Sequence, residues 1–259
     1  MKRKLLYIAI ALGIMGLNQS CGQSSVSIQP LECASDNASE VNGVRMVAVG
    51  NNQIVRHKAF TLSYNEEHEQ PDWVAYMLTR EMANGQLPRT DDFREDEDVV
   101  TQSAQLEDYR RSGYTRGHLV PAGDMKWDKE AMSETFLLSN MSPQDADFND
   151  GIWNKLEGRV RQWARYYGTV YVVTGPVLEE GLPTIGNNEV SVPQCFYKVI
   201  YVPDRQMMIG FLVDHRGTKD RLQDLAVPVD SVEDCTGLDF FPTMGEEMES
   251  SVDITRWKW

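Results

Sequence analysis

Apolar and polar residues alternate along "VRMVAVGNNQIVRHKAFTLSYN" (44–65) and "DWVAYMLT" (72–79). Both stretches are rich in Val, Tyr, Phe and Thr, so the two-residue period predicts strands. Three more strands are expected at "TVYVVTGPVL" (169–178), "CFYKVIYVP" (195–203) and "QMMIGFLVD" (206–214), each closed by Gly, Pro or Asp. A different period governs "DFNDGIWNKLEGRVRQWARYYG" (147–168), where Ile152, Leu156, Val160, Trp163 and Tyr167 recur at spacings of three and four before Gly168. That predicts a long amphipathic helix, with Trp163 and Tyr167 packed on a sheet rather than stacked on bases. Shorter helices are expected at "KEAMSETF" (129–136) and "TKDRLQDLAV" (218–227). Strands outnumber helices and arrive in runs, which predicts an α+β fold: a central, mainly antiparallel sheet flanked by helices.

The first twenty residues follow neither period. "MKRK" is a basic start and "LLYIAIALGIMGL" an apolar run too short to span a bilayer comfortably. Residues 1–20 therefore read as a signal peptide, and Cys21 directly after "LNQS" as a lipidation point. The expected product is an exported, lipid-anchored envelope or periplasmic protein of a bacterium, or a secreted one if cleavage is ordinary. Low hydrophobicity makes 21–45 a flexible tether and leaves 46–259 as a single domain.

Composition changes the picture in three places. With 41% apolar and 25% charged residues in a chain of 259, a sizeable core is expected and wholesale disorder is excluded. Of the four cysteines, Cys195 and Cys235 both lie in the folded part and are the expected disulfide pair, while Cys33 sits in the tether. The lack of a CxxC pair argues against a zinc ribbon or a thioredoxin-like site. The net charge of −14 opposes nucleic-acid binding, yet the acid concentrates in 90–100 and 233–253. Between Trp153 and Tyr167, Lys155, Arg159, Arg161 and Arg165 face only Glu157, so a local basic surface remains open.

Candidate chemistry gathers in one span. "SGYTRGHLVPAGD" (112–124) carries Arg116 and His118; Asn140, Asn149 and Glu157 follow. A strand bearing His118 and a helix beginning near Asn149 would face one another. A neutral imidazole takes a proton from water near neutral pH. A hard divalent cation accepts an amide oxygen and keeps several waters, and arginine clamps phosphate. Blander roles fit the same residues. A lone histidine is commonly a packed, hydrogen-bonded one, Asn140 and Asn149 serve as caps, and Glu157 pairs with Arg161 one turn on.

Together the blocks "SGYTRGHLVPAGDM", "FLLSNMSPQ", Asn149 and "WNKLEGRVR" resemble the signature of the DNA/RNA non-specific endonucleases, the endonuclease G-like nucleases with a ββα-metal (His-Me) finger. The family pattern is Asp-Arg-Gly-His, then Ser-Asn-x-x-Pro-Gln, then Asn-x-x-x-Trp-x-x-Leu-Glu. Weaker echoes such as "PDWVAYMLT", "VTGPV" and "TGLDFFP" extend the likeness over roughly residues 60 to 245. The resemblance implies a metal-dependent endonuclease of DNA and/or RNA with little sequence preference and mainly phosphate contacts. It implies His118 as general base, Asn149 as the single protein ligand of Mg²⁺ (Mn²⁺ as the alternative), and Arg116 as a phosphate contact. Asn140 would support the histidine region or the substrate. On an unbroken helix from Asn149, Glu157 lies ~12 Å further along the axis, which suits it to the ion's water rather than the ion. Arg89 matches an upstream arginine of the family in loose register. Whether the mature protein is a homodimer stays open.

One residue departs from the pattern: Thr115 stands where the family has aspartate. If that aspartate orients the histidine, a neutral acceptor replaces a charged one and the imidazole becomes slightly more acidic. The departure keeps a second reading alive, in which a weakened nuclease fold binds nucleic acid or a protein partner. A zinc hydrolase has little support, since His57, His68, His118 and His215 are the only histidines and no HExxH occurs. Asp124 and Asp214 read as exposed turn residues.

Overall fold

The structure, a computed structural model, describes residues 40–41, 44–47 and 52–259. The strands in chain order are β1 (Glu40–Val41), β2 (Val44–Arg45), β3 (Gln53–Arg56), β4 (Phe60–Asn65), β5 (Gln70–Thr79), β6 (Thr115–His118), β7 (Met141–Gln144), β8 (Thr169–Pro176), β9 (Thr184–Ile185), β10 (Val190–Ser191), β11 (Cys195–Val202), β12 (Met207–Asp214) and β13 (Ala226–Val227). The α-helices are α1 (Arg80–Ala83), α2 (Leu106–Tyr109), α3 (Lys129–Glu134), α4 (Ala146–Phe148), α5 (Asn154–Tyr167), α6 (Val229–Thr236) and α7 (Glu246–Glu249). The expected signal peptide, Cys21, Cys33 and most of the expected tether lie outside the described residues. Regular structure starts ahead of residue 46, because β1 and β2 pair with Val41 opposite Val44.

Seven strands form one antiparallel sheet in the order β13-β12-β11-β8-β5-β4-β3. Both of its faces are covered, which is why the central strands read as nearly unbroken apolar runs. On β5 the alternation sends Val74, Tyr76 and Leu78 into the core shared with Leu156, Val160 and Trp163 of α5. Trp73 and Ala75 point the other way, into a second core with Val173, Tyr197, Val232 and Phe240. Gly168, at φ 102°, ends α5 in a conformation that disfavours residues with a Cβ. The C-terminal tail closes over this helix, with Trp163 donating to the Lys258 carbonyl (2.6 Å) and its ring 4.6 Å from that of Trp257. Trp163 is thus a core residue, as its spacing predicted.

Two expectations need correction. The segment 218–227 is not a helix: only Leu222–Leu225 makes a short 3₁₀ turn, and Ala226–Val227 pairs with Phe211 and Gly210 at the sheet edge. An open strand edge satisfies those backbone groups better than one marginal helical turn. Cys195 and Cys235 are not bridged; both are free thiols, Cys195 half-buried on β11 and Cys235 exposed on α6. Sharing a folded domain does not supply the geometry a disulfide needs. Among the described residues no helix is long and apolar enough to cross a membrane.

Candidate active site

β6 and β7 form a small antiparallel pair apart from the main sheet, with Thr115 opposite Gln144 and His118 opposite Met141. Gly117 lets the Gln144 side chain pack against the strand between Arg116 and His118: a Cβ there would meet it at 2.1 Å and force it to move. Arg116 and His118, two apart on the strand, share a face. The His118 ring is held edge-on against Phe136 (centroids 5.0 Å apart) and Phe93 (5.7 Å). Its Nε2 is buried and makes no hydrogen bond within the described residues.

The other histidines are spoken for. His57 Nε2 lies 3.0 Å from Asp96, and His68 Nδ1 lies 2.9 Å from the Ser191 hydroxyl. His215 bonds through Nδ1 to the Pro193 carbonyl (2.7 Å) and accepts the Asp145 N–H at Nε2 (2.6 Å). Burial first, and then the positive charges of Arg89 and Arg116, push the His118 imidazole down to about 3, against a hydrogen bond to the Arg116 backbone that pulls the other way. The ring is therefore neutral at physiological pH, with a free acceptor at Nε2.

Downstream, the helix expected over 147–168 is broken. α4 runs into a π-type turn at Asn149–Trp153, where Gly151 takes φ −93° and ψ −108°, and α5 starts only at Asn154. Such turns inside helices recur at functional sites. Asn149, in this turn, and Glu157, in the first turn of α5, line one cavity. The Asn149 side-chain N–H₂ donates to the Thr115 hydroxyl (3.1 Å), which itself donates to the Gln144 carbonyl (2.9 Å). Thr115 thus acts on Asn149 rather than on His118. With its nitrogen engaged, Asn149 has its amide oxygen left as an acceptor.

The cavity measures about 450 Å³, and Arg89, Arg116, His118, Asn149, Glu157 and Arg161 line it. Its floor is a buried charge network. Asp124, fully buried, accepts from Arg161 (2.7 Å) and from the Tyr76 hydroxyl (2.8 Å). Lys198 is fully buried on β11, donating to the Thr174 hydroxyl (2.9 Å) with its ammonium 4.6 Å from the Trp153 ring centre. Burial raises the Glu157 carboxyl and lowers the Lys198 ammonium, each opposed by the other's charge.

The sequence profile of the DNA/RNA non-specific endonucleases matches residues 37–247. Endonuclease G, mitochondrial, of Homo sapiens is 34% identical over 212 residues, which cover 74% of this chain and 70% of that protein. The chain belongs to the DNA/RNA non-specific endonuclease family. Nuclease C1 of Cunninghamella echinulata var. echinulata is 36% identical over 72% of this chain and 82% of its own. Nuclease EXOG, mitochondrial, of Danio rerio is 37% identical over 74% of this chain, which spans about three fifths (61%) of that relative's length. A solved structure of an EndoG/EndoGI complex superposes with a TM-score of 0.71 at 35% identity, covering 77% of this chain and 89% of that one. The family's α+β fold is the one described above.

These relatives correct the expected location. Endonuclease G, EXOG and the mitochondrial nuclease of Saccharomyces cerevisiae are named as mitochondrial proteins. Placement as an exported, lipid-anchored or secreted bacterial protein is withdrawn.

Within this family member, one expected site residue stands apart. Asn140 is fully buried, and its amide accepts from the Val120 N–H (2.9 Å) and donates to the carbonyls of Val120 (3.0 Å) and Thr135 (2.9 Å). It braces the segment after His118 and does not line the cavity. Sequence reasoning missed two residues. Asp124 reads as a turn aspartate but is the buried partner of Arg161, displacing the expected Glu157–Arg161 pair. Lys198 had one signal, a lone charge inside the apolar run "CFYKVIYV".

Proposed function

We propose that this chain is a metal-dependent nuclease hydrolysing phosphodiester bonds of DNA and RNA with little sequence preference. The observation that carries the reading is the buried, unbonded Nε2 of a neutral His118 in a cavity shared with Asn149, Glu157 and three arginines. In the proposed reaction His118 Nε2 takes a proton as a water oxygen bonds to phosphorus. The bond from phosphorus to the leaving ester oxygen breaks, its electron pair stays on that oxygen, and solvent supplies the proton. Arg116 and Arg89 hold the phosphate and its growing charge. The donor set suits a hard ion: the Asn149 amide oxygen would hold Mg²⁺ with water filling the rest, and the Glu157 carboxylate would hold that water. When bound, that ion neutralises phosphate charge and steadies the leaving oxygen. The test is digestion of plasmid DNA and of RNA with Mg²⁺ and with EDTA. Cleavage of both only with Mg²⁺ is expected; intact substrates under all conditions would remove the reading.

Thr115 gains a defined part, holding the Asn149 amide so that its oxygen meets the ion. Thr115→Val removes that hydroxyl, and partners of metal ligands of this kind are worth about 10–100-fold in metal affinity or activity. The Mg²⁺ concentration for half-maximal activity should rise by about that factor, and Thr115→Ser should restore it. An unchanged Mg²⁺ dependence in Thr115→Val would remove the role.

The pH dependence has a fixed sign. Neutral imidazole is the working form, and its lowered pKa keeps it neutral until well below 6.5. The acid limb of kcat/KM, which reports the free enzyme, should therefore lie well below pH 6.5. Bound phosphate neutralises Arg89 and Arg116, so the limb of kcat should sit at higher pH. Profiles on a short oligonucleotide check both; coincident limbs near 6.5 would contradict the assignment.

A further inference from the structure

A second cavity, about 750 Å³, opens on the far side of Arg116 from His118. It shares Arg89 and Arg116 with the first cavity, so the two adjoin at the arginines proposed to hold the phosphate. Its walls come from α2 and the approach to β6: Leu106, Tyr109, Arg110 and Tyr114, with Phe93 beneath Arg116; two carboxylates also line it, Glu107 and Asp91, the latter paired with Arg89. The Arg116 guanidinium lies 4.0 Å from the Phe93 ring centre, which fixes the cation between the two spaces. Neither Arg110 nor Arg116 forms an ion pair among the described residues, although the chain carries a net charge of −14. Leu106 is 39% exposed, large for an apolar side chain. Tyr109 is 94% buried by the same measure (6% exposed), yet its hydroxyl makes no hydrogen bond within the described residues.

Unpaired guanidinium groups call for an anion, aromatic and aliphatic walls for a flat apolar face, and a buried hydroxyl for a polar edge. A nucleotide offers all three at the spacing of one residue from a phosphate held at Arg116. We propose that this cavity is a nucleotide subsite, taking the base and sugar of the nucleotide next to the scissile phosphate in a single strand. Leu106 and Tyr114 lie against the base, Tyr109 meets its edge, and Arg110 reaches the following phosphate. The proposal rests on the nuclease reading for its register, but not for its ability to bind. Stacking tolerates every base, so the subsite adds affinity without adding sequence preference.

The test uses two exposed variants of the full chain, Leu106→Trp to fill the cavity and Arg110→Ala to remove its cation, with folding checked by thermal melting. Binding of phosphorothioate-linked trithymidylate in EDTA should weaken about tenfold in Leu106→Trp and severalfold in Arg110→Ala. With Mg²⁺, the kcat/KM ratio of a single-stranded oligonucleotide to bis(p-nitrophenyl) phosphate should fall about tenfold in Leu106→Trp. Trinucleotide binding equal to wild type in both folded variants would overturn the subsite. A wild type that binds the trinucleotide through these residues yet cleaves no diester would overturn the nuclease reading alone and uphold the subsite.

Discussion

Replacing His118 by alanine is expected to lower kcat on duplex DNA by about 10²–10⁴-fold, the usual worth of a positioned general base. DNA binding should stay within a few-fold of wild type, because the arginines that face the phosphate remain. The size of the effect follows from the absence of a substitute. His57, His68 and His215 are engaged elsewhere, and no second imidazole lines the cavity, whose other ionisable side chains are Arg89, Arg116, Lys126, Asp150, Glu157 and Arg161. Single-turnover cleavage beside a fluorescence binding curve measures both quantities. A nucleic-acid receptor on the same fold would show no cleavage in either protein and no change in binding.

Asp124→Ala should destabilise the protein by about 3–5 kcal/mol, the cost of breaking a buried ion pair from one side. Asp124 is fully buried and accepts from both Arg161 and Tyr76, so its loss leaves the mostly buried Arg161 guanidinium without its carboxylate and the buried Tyr76 hydroxyl without its acceptor. Arg161 and Lys198 would then share one carboxylate, Glu157. Losing a negative neighbour lowers the Glu157 pKa, since the Asp124 charge is among the causes that raise it. Asp124→Asn keeps two hydrogen bonds and should cost less. Urea unfolding at neutral pH checks the order; an alanine variant as stable as wild type would show that the network does not hold the cavity floor.

Legibility followed the physics of each element. The strands at 72–79, 169–178, 195–203 and 206–214 were readable because double burial enforces apolar runs closed by turn residues. Segment 218–227 was not, since its fate depended on the open edge of β12, a sheet feature that no local period reports. The helix at 147–168 was half readable: Leu156, Val160 and Trp163 hold their spacing, but the periodic series begins at Ile152, just past Gly151, and so says nothing of the break there. That break, invisible to periodicity, holds Asn149, which lines the cavity with Glu157. Histidine and asparagine were legible as candidates only through the company of their motifs. Asn140 belonged to the same motif and proved to be a brace, because an amide's partners are set by its tertiary surroundings. Lys198 and Asp124 were hidden for the opposite reason: a charge read from sequence is assumed to face water.

The central claim is that the neutral ring of His118 removes the proton from the attacking water. Chemical rescue tests it most directly. His118→Gly leaves a space between Phe93 and Phe136 that fits free imidazole, and added imidazole should restore cleavage with saturation, in proportion to its neutral form. An inactive His118→Gly protein, folded and DNA-binding, that imidazole does not revive at any pH would contradict the account.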